Sequence, residues 1–421
     1  MMDDAHGNWT GRVEDEPLLK GQGRYSDDNK DASLSAVFVR STHAHAKIKG
    51  VDTKAARSAK GVVAVLTADD IAEFKPGSVS GPIPVPFWQG KPGIGPFRPV
   101  LAKDKVVHVG ELIAVVVAES AAIAADAADL VQVDYEPLTP VIDLKDAIAA
   151  KNHIWDQAKD NLTFDWHTPP DPDGAKKAEM DKIFASAAHV AKIETFNQRL
   201  SVVTMEPRAA TASYDAASDS YTLYTGTQGP MGVKMQTIGA LQIPPPKLRV
   251  YSHDVGGGFG MKASGYAEYP ALLYAARKAG KPVRWTATRA ESFVSDNQAR
   301  DNLWRCELAM DANGKFLALR LRGEADMGAY LTGVALYCPT VHISGCLPSV
   351  YDIPKISVAT KCYFTNKLPI GPYRGAGRPE VNHFMEKLVD AAAAKTGIDP
   401  AELRRRNLIS PAKIPYQSAT G

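Results

Sequence analysis

The sequence predicts an α+β fold of two mixed domains, and three observations carry that reading. Valine-rich strands alternate with a helix between residues 112 and 135. Two later helices keep an apolar face at helical spacing, and a proline-rich polar stretch divides the chain. Its 421 residues are enough for two or three cores. Hydrophobic residues make up 45% and charged residues 23%, ordinary for a globular protein. With 49 basic against 47 acidic residues the net charge is +2, no electrostatic reason to expect a nucleic-acid or membrane partner. The longest apolar run, Leu112–Ala118, falls far short of the roughly 20 residues that cross a bilayer.

Taken in order, an arm over residues 1–19 has no basic region followed by an apolar stretch and no twin arginine. No export signal is read there, and a cytoplasmic protein is expected. A first domain spans 20–149. Ser35–Arg40 and Gly61–Leu66 read as strands, and Leu112–Ala118, Ala121–Leu130 and Val131–Tyr135 as a β-α-β unit stopped by Pro137 and Pro140. Residues 150–180, with the polar run HTPPDPDGAKK, read as a surface linker. A second domain spans 181–421. His189–Val203, Arg208–Tyr214 and Ser220–Thr225 are its first strands, and Asn313–Gly314 signals a type I′ hairpin joining Trp304–Met310 to Phe316–Arg322. Helices are expected over Tyr266–Lys278, stopped by Gly280, and over Glu380–Lys395, stopped by Gly397. Asp399–Pro400 starts another in the preferred order of cap and proline.

Three segments could carry chemistry. Val255-Gly-Gly-Gly-Phe-Gly-Met-Lys262 follows an apolar strand and precedes a helix. Its glycines let backbone approach a ligand closely and turn N–H groups toward an anion or a metal-bound oxygen. Its spacing is not that of a dinucleotide-binding fingerprint. Leu368-Pro-Ile-Gly-Pro-Tyr-Arg-Gly-Ala-Gly-Arg-Pro-Glu380 sets an arginine in a glycine turn before a helix, where a guanidinium can be aimed. Thr225-Gly-Thr-Gln-Gly-Pro230 places Gln228 at a strand end. Singly, each is an ordinary turn. The four cysteines (Cys306, Cys338, Cys346, Cys362) include no pair two apart, so packed thiols are expected rather than iron–sulfur or zinc ligands. His43 and His45 lack a third ligand nearby, and Met231, Met235 and Met261 read as packing residues.

Together and in this order the segments resemble the molybdopterin-binding large subunits of the xanthine dehydrogenase, aldehyde oxidase and carbon monoxide dehydrogenase superfamily. The resemblance also includes Gly21-Gln-Gly-Arg-Tyr-Ser-Asp-Asp28, Phe38-Val-Arg-Ser-Thr-His-Ala-His-Ala46 and Val109-Gly-Glu111. Val133-Asp-Tyr-Glu-Pro-Leu138, Met205-Glu-Pro-Arg208 and Leu403-Arg-Arg-Arg-Asn-Leu408 complete it. It implies that residues 20–149 form an a/b hammerhead domain and that 181–421 form the first, incomplete half of the molybdopterin-binding region.

The resemblance further implies a molybdenum hydroxylase acting with water-derived oxygen, with the cofactor supplying the chemistry and the protein position and charge. Gln228 matches the glutamine that hydrogen-bonds the metal's apical oxygen. Gly257, Gly258, Phe259 and Gly260 match backbone lying against the cofactor, and Arg374 the arginine that reaches the molybdenum ligands. No residue of this chain is expected to ligate the metal directly. Ala263, Tyr373 and Ala376 match the substrate pocket.

Two departures narrow the substrate. Gly375 stands where carbon monoxide enzymes carry a cysteine, and Ala263 where xanthine enzymes carry a glutamate, so an aldehyde or an N-heteroaromatic ring is expected. The family's catalytic glutamate, in a Gly-Glu turn, and most pterin contacts have no counterpart here; Glu111 belongs to the first domain. The resemblance therefore implies a second molybdopterin-binding chain, as in split enzymes of the nicotinate dehydrogenase type. An iron–sulfur subunit and an FAD subunit would take the electrons, and the pterin could be the cytosine dinucleotide form. The competing expectation is a truncated, non-catalytic relative or binding module of the same fold.

Overall fold

The run Leu112–Ala118 is buried at every position, because it forms an inner strand covered on both faces. Its antiparallel neighbours are Leu34–Arg40 and Val62–Leu66. In this computed structural model, which describes residues 12–29, 32–80 and 93–420, the sheet does not stop there. Leu34–Arg40 pairs in parallel with Val283–Thr286, Leu34 opposite Val283. The sheet then continues through Ala209–Asp215 and Ser220–Thr225 to Leu248–Tyr251, seven strands in all. Strands from early and late sequence thus share one core, in which Val115, Val117, Leu223 and Trp285 meet Tyr269, Leu272 and Leu273 of helix Glu268–Ala279. Gly280 ends that helix at φ 64°, as the sequence suggested.

The expected β-α-β unit forms its three elements but not the pairing. Ala121–Ala128 has only eight residues, too few to return a chain to a parallel neighbour. Gln132–Pro137 instead joins Ala46–Asp52 and Lys105–Val106 in a three-stranded sheet.

A five-stranded sheet runs Leu162–Thr168, Ile356–Tyr363, Phe316–Asp326, Asn302–Met310, His189–Asn197. Helix Arg378–Thr396 covers it with Val381, Phe384, Leu388 and Ala392; Phe384 lies 5.3 Å from Trp304. Two expectations change here. Part of the stretch read as a linker is an edge strand, Leu162–Thr168, because Phe164 and Trp166 alternate with polar residues and bury. The Asn313–Gly314 hairpin forms with a different turn. Gly314 N–H closes on the Asp311 carbonyl (3.1 Å), and of the pair only Gly314 has positive φ, so this is a type I turn with a glycine bulge. Cys306, Cys338 and Cys362 are buried and Cys346 is half-buried, all as free thiols.

Buried charge ties the segments together. Arg40 of the first strand meets Glu268 (2.9 Å) and Glu291 (2.6 Å), and Arg208 meets the same Glu268 (3.0 Å) and Asp296 (2.6 Å). Among the described residues no helix is long and apolar enough to cross a membrane.

Candidate functional site

The strand Leu248–Tyr251 runs into the glycine loop at the same end of the sheet where Ser220–Thr225 delivers Gln228. Two glycines are dictated by contacts. A Cβ on Gly258 would stand 2.4 Å from Cγ of Gln228, and one on Gly260 would stand 2.5 Å from the Pro372 carbonyl oxygen. Gly260 also sits at φ 99°, a region L side chains avoid. Between them Phe259 holds φ 52°, a strained conformation for a bulky residue that surrounding contacts must enforce.

Those contacts join all three segments. The backbone N–H of Gly260 donates to Gln228 Oε1 at 2.7 Å. The N–H of Arg374 donates to the Phe259 carbonyl at 2.8 Å, and the Arg374 guanidinium lies 5.9 Å from the Phe259 ring centroid. Gln228, Phe259 and Arg374 are exposed, Tyr373 and Ala376 half-buried. Ala263 closes the short 3-10 turn Met261–Ala263 that follows the loop. The structure therefore gathers Gln228, Gly257–Gly260 and Arg374 on one open face, with Tyr373 and Ala376 on the arginine turn and Ala263 one turn beyond the glycines.

Beneath the loop lies Glu206, which no catalytic or binding motif of the sequence marks. Glu206 accepts from the backbone of Ser26 (3.1 Å) and Gly256 (2.9 Å) and pairs with Lys262 Nζ at 2.6 Å. Lys262 is 1% exposed; burial pushes its pKa down while Glu206 pulls it up. The early segment joins here too, Arg24 N–H donating to Asp254 at 2.7 Å. The signal was present in Met205-Glu-Pro-Arg208 and Gly21–Asp28, but sequence alone does not say what they touch. The methionines also divide: Met261 is 1% exposed, whereas Met231 and Met235, one turn apart on the helix Pro230–Leu241 that follows Gln228, are 67% and 53% exposed. The latter two are surface residues rather than packing residues.

Residues 156–408 match the family model of the molybdopterin cofactor-binding domain, and residues 20–139 match the aldehyde oxidase and xanthine dehydrogenase a/b hammerhead domain. The chain belongs to the xanthine dehydrogenase family of molybdopterin-binding subunits. It is 33% identical over 415 residues to the nicotine 6-hydroxylase large subunit of Paenarthrobacter nicotinovorans, covering 97% of this chain and 49% of that one. Quinoline 2-oxidoreductase from Pseudomonas putida 86 superposes with a TM-score of 0.87 at 35% identity, over 97% of this chain and 51% of the other. The chain thus spans about half the length of these relatives. It also matches the nicotinate dehydrogenase large molybdopterin subunit of Eubacterium barkeri at 27% identity, covering 94% of this chain and 87% of that one.

The residues of this family member fit a molybdopterin-type group. The N–H groups of Gly257, Gly258 and Phe259 make no hydrogen bond among the described residues, nor does the Gln228 amide NH2. With the exposed Arg374 they form a face of donors, while the acidic Glu206 behind them is already paired. Such a face suits an anionic, oxygen-rich ligand.

Proposed function

We propose that this chain is the front half of a molybdenum hydroxylase large subunit, assembled in the cytoplasm. A second molybdopterin-binding chain would complete it and supply the general-base glutamate. The Gln228–Gly260 bond, which occupies Oε1 of an exposed glutamine and leaves its NH2 unpaired among the described residues, carries this reading. Gly257–Phe259, Gln228 and Arg374 would hold the cofactor, which when bound supplies oxygen transfer from water and accepts two electrons. With its Oε1 held by the Gly260 N–H, Gln228 would donate through its NH2 to an oxygen of the bound group. Arg374, its peptide tied to Phe259, would supply a fixed positive charge to favour negative charge developing on oxygen. Glu111 cannot serve as the base: it is 7% exposed and taken up by Tyr330 Oη (2.6 Å) and the Val107 N–H. Met231 and Met235, exposed on the helix that follows Gln228, suit a face that the second half covers.

For the substrate, Ala263 and Ala376 leave room, and Gly375 offers no thiolate. Together with relatives named for nicotine and quinoline, these favour an N-heteroaromatic ring, with an aldehyde as the alternative. Iron–sulfur and FAD subunits would carry the electrons away, and the pterin could be the cytosine dinucleotide. The test offers the purified assembly quinoline, nicotinate, benzaldehyde, xanthine and carbon monoxide in ¹⁸O-water with an artificial electron acceptor. Turnover of a ring or aldehyde with ¹⁸O in the product supports the reading. A molybdenum-loaded assembly that oxidises none of them would overturn it in favour of a non-catalytic relative.

A further inference from the structure

The turn that carries Arg374 is held from outside by an ion pair that neither the glycine loop nor the cofactor face contains. Arg300 Nη1 lies 2.6 Å from Glu380 Oε1, with the two side chains 9% and 3% exposed. The other carboxylate oxygen of Glu380 accepts the N–H of Gly377 at 3.0 Å. The other end of the guanidinium donates to the carbonyl of Arg374 at 3.4 Å, and its carbon lies 5.5 Å from the Tyr373 ring centroid. The residue Arg374 is therefore gripped on both sides, its N–H by Phe259 and its carbonyl by Arg300.

The grip is built at a conformational cost. Arg300 and Asp301 sit consecutively at φ 66° and 63°, where non-glycine residues are held only if their surroundings over-determine them. The flanks do so. Gln298 N–H donates to the Pro369 carbonyl (3.0 Å), Gly371 N–H to the Gln298 carbonyl (2.7 Å), and Asp326 N–H to the Asp301 carbonyl (2.9 Å). Gly377 can enter the turn only without a side chain, since a Cβ would stand 2.7 Å from that of His342. Strain of this kind, spent to aim one side chain, marks a positioning device.

We infer that Arg300 and Glu380 are positioning residues that fix the peptide from which the Arg374 guanidinium and the Tyr373 ring project toward substrate; the inference rests on the functional reading above. In the purified chain, Glu380→Gln and Arg300→Ala should raise hydrogen exchange at Arg374, Ala376 and Gly377 at least tenfold and leave the five-stranded sheet unchanged. Arg300→Lys should restore part of the protection. In the loaded assembly the same variants should lower kcat tenfold or more with KM little changed, and add nothing in an Arg374→Ala background. Unchanged exchange at the turn, a loosened turn with normal kcat, or effects that simply add to those of Arg374→Ala would each overturn the inference. Absence of molybdenum from the wild-type assembly would instead sink the functional reading, and exchange at the turn would still decide whether the pair holds it.

Discussion

Gln228 and Gly260 fix each other: the glycine N–H meets Oε1 of the glutamine at 2.7 Å, so the amide can face outward in only one sense, NH2 first. The same glutamine packs so closely on Gly258 that no side chain fits there. Loop conformation and side-chain orientation are thus one feature, and disturbing either disturbs the donor.

Gly258→Ala tests that coupling. The new Cβ would lie 2.4–2.6 Å from Cγ, Cδ and Oε1 of Gln228 and must push the amide aside. Turnover by the assembled enzyme should fall about 100-fold, the scale of losing one oriented donor to developing charge. Gln228→Ala should cost as much, and the double variant no more than either. A Gly258→Ala enzyme with normal kcat would contradict the coupling.

Glu206→Gln should damage stability rather than chemistry. It leaves Lys262, 1% exposed, without the carboxylate that lies 2.6 Å from its Nζ. Chemical denaturation should show a loss of about 3 kcal/mol, the scale for breaking a buried ion pair on one side. Replacing both members, Glu206→Gln with Lys262→Met, should recover much of it, because the penalty lies in the unpaired charge. A single variant as stable as wild type would mean the loop does not depend on this pair.

Stability should fall in mild acid. His108 is 2% exposed, donates through Nδ1 to its neighbour's carbonyl (2.8 Å), and has no partner at Nε2. Burial pushes its pKa below the ordinary 6.5; the nearby Glu111 opposes this, while Arg98 and Arg40 assist it. Below pH 6.5 the unfolded chain binds a proton that the folded one refuses. The contribution is therefore complete above that pH and lost as pH falls toward the folded pKa, at up to about 1.4 kcal/mol per pH unit. Denaturation between pH 7 and 5.5 should show this slope, and His108→Gln should flatten it. His45, also pushed down by burial, should keep some slope in that variant. Stability independent of pH across the window would refute the assignment.

Much of this was legible in the sequence, for physical reasons. The glycine loop, Gln228 and the Arg374 turn announce themselves because close backbone approach demands glycine and an aimed guanidinium demands a fixed turn. Helices Glu268–Ala279 and Arg378–Thr396 follow from apolar spacing and their glycine stops. The hairpin around Asn313–Gly314 was legible from its turn, but pairing between distant segments was not. Nothing local in Leu34–Arg40 reveals that Val283–Thr286 lies beside it, and the strand at Phe164 and Trp166 was masked by the prolines that follow. Glu206 was invisible as a functional residue because its meaning lies in three contacts from distant segments.

The most direct test of the central claim is elemental analysis of a tagged chain purified from its native host. The preparation should carry close to one molybdenum per chain, together with iron and a co-purifying second molybdopterin-binding chain, and should lose the molybdenum when the donor face is removed in a Gln228→Ala, Arg374→Ala variant. A chain that comes out alone and free of molybdenum would contradict the claim, leaving a protein that keeps the family's fold without its cofactor.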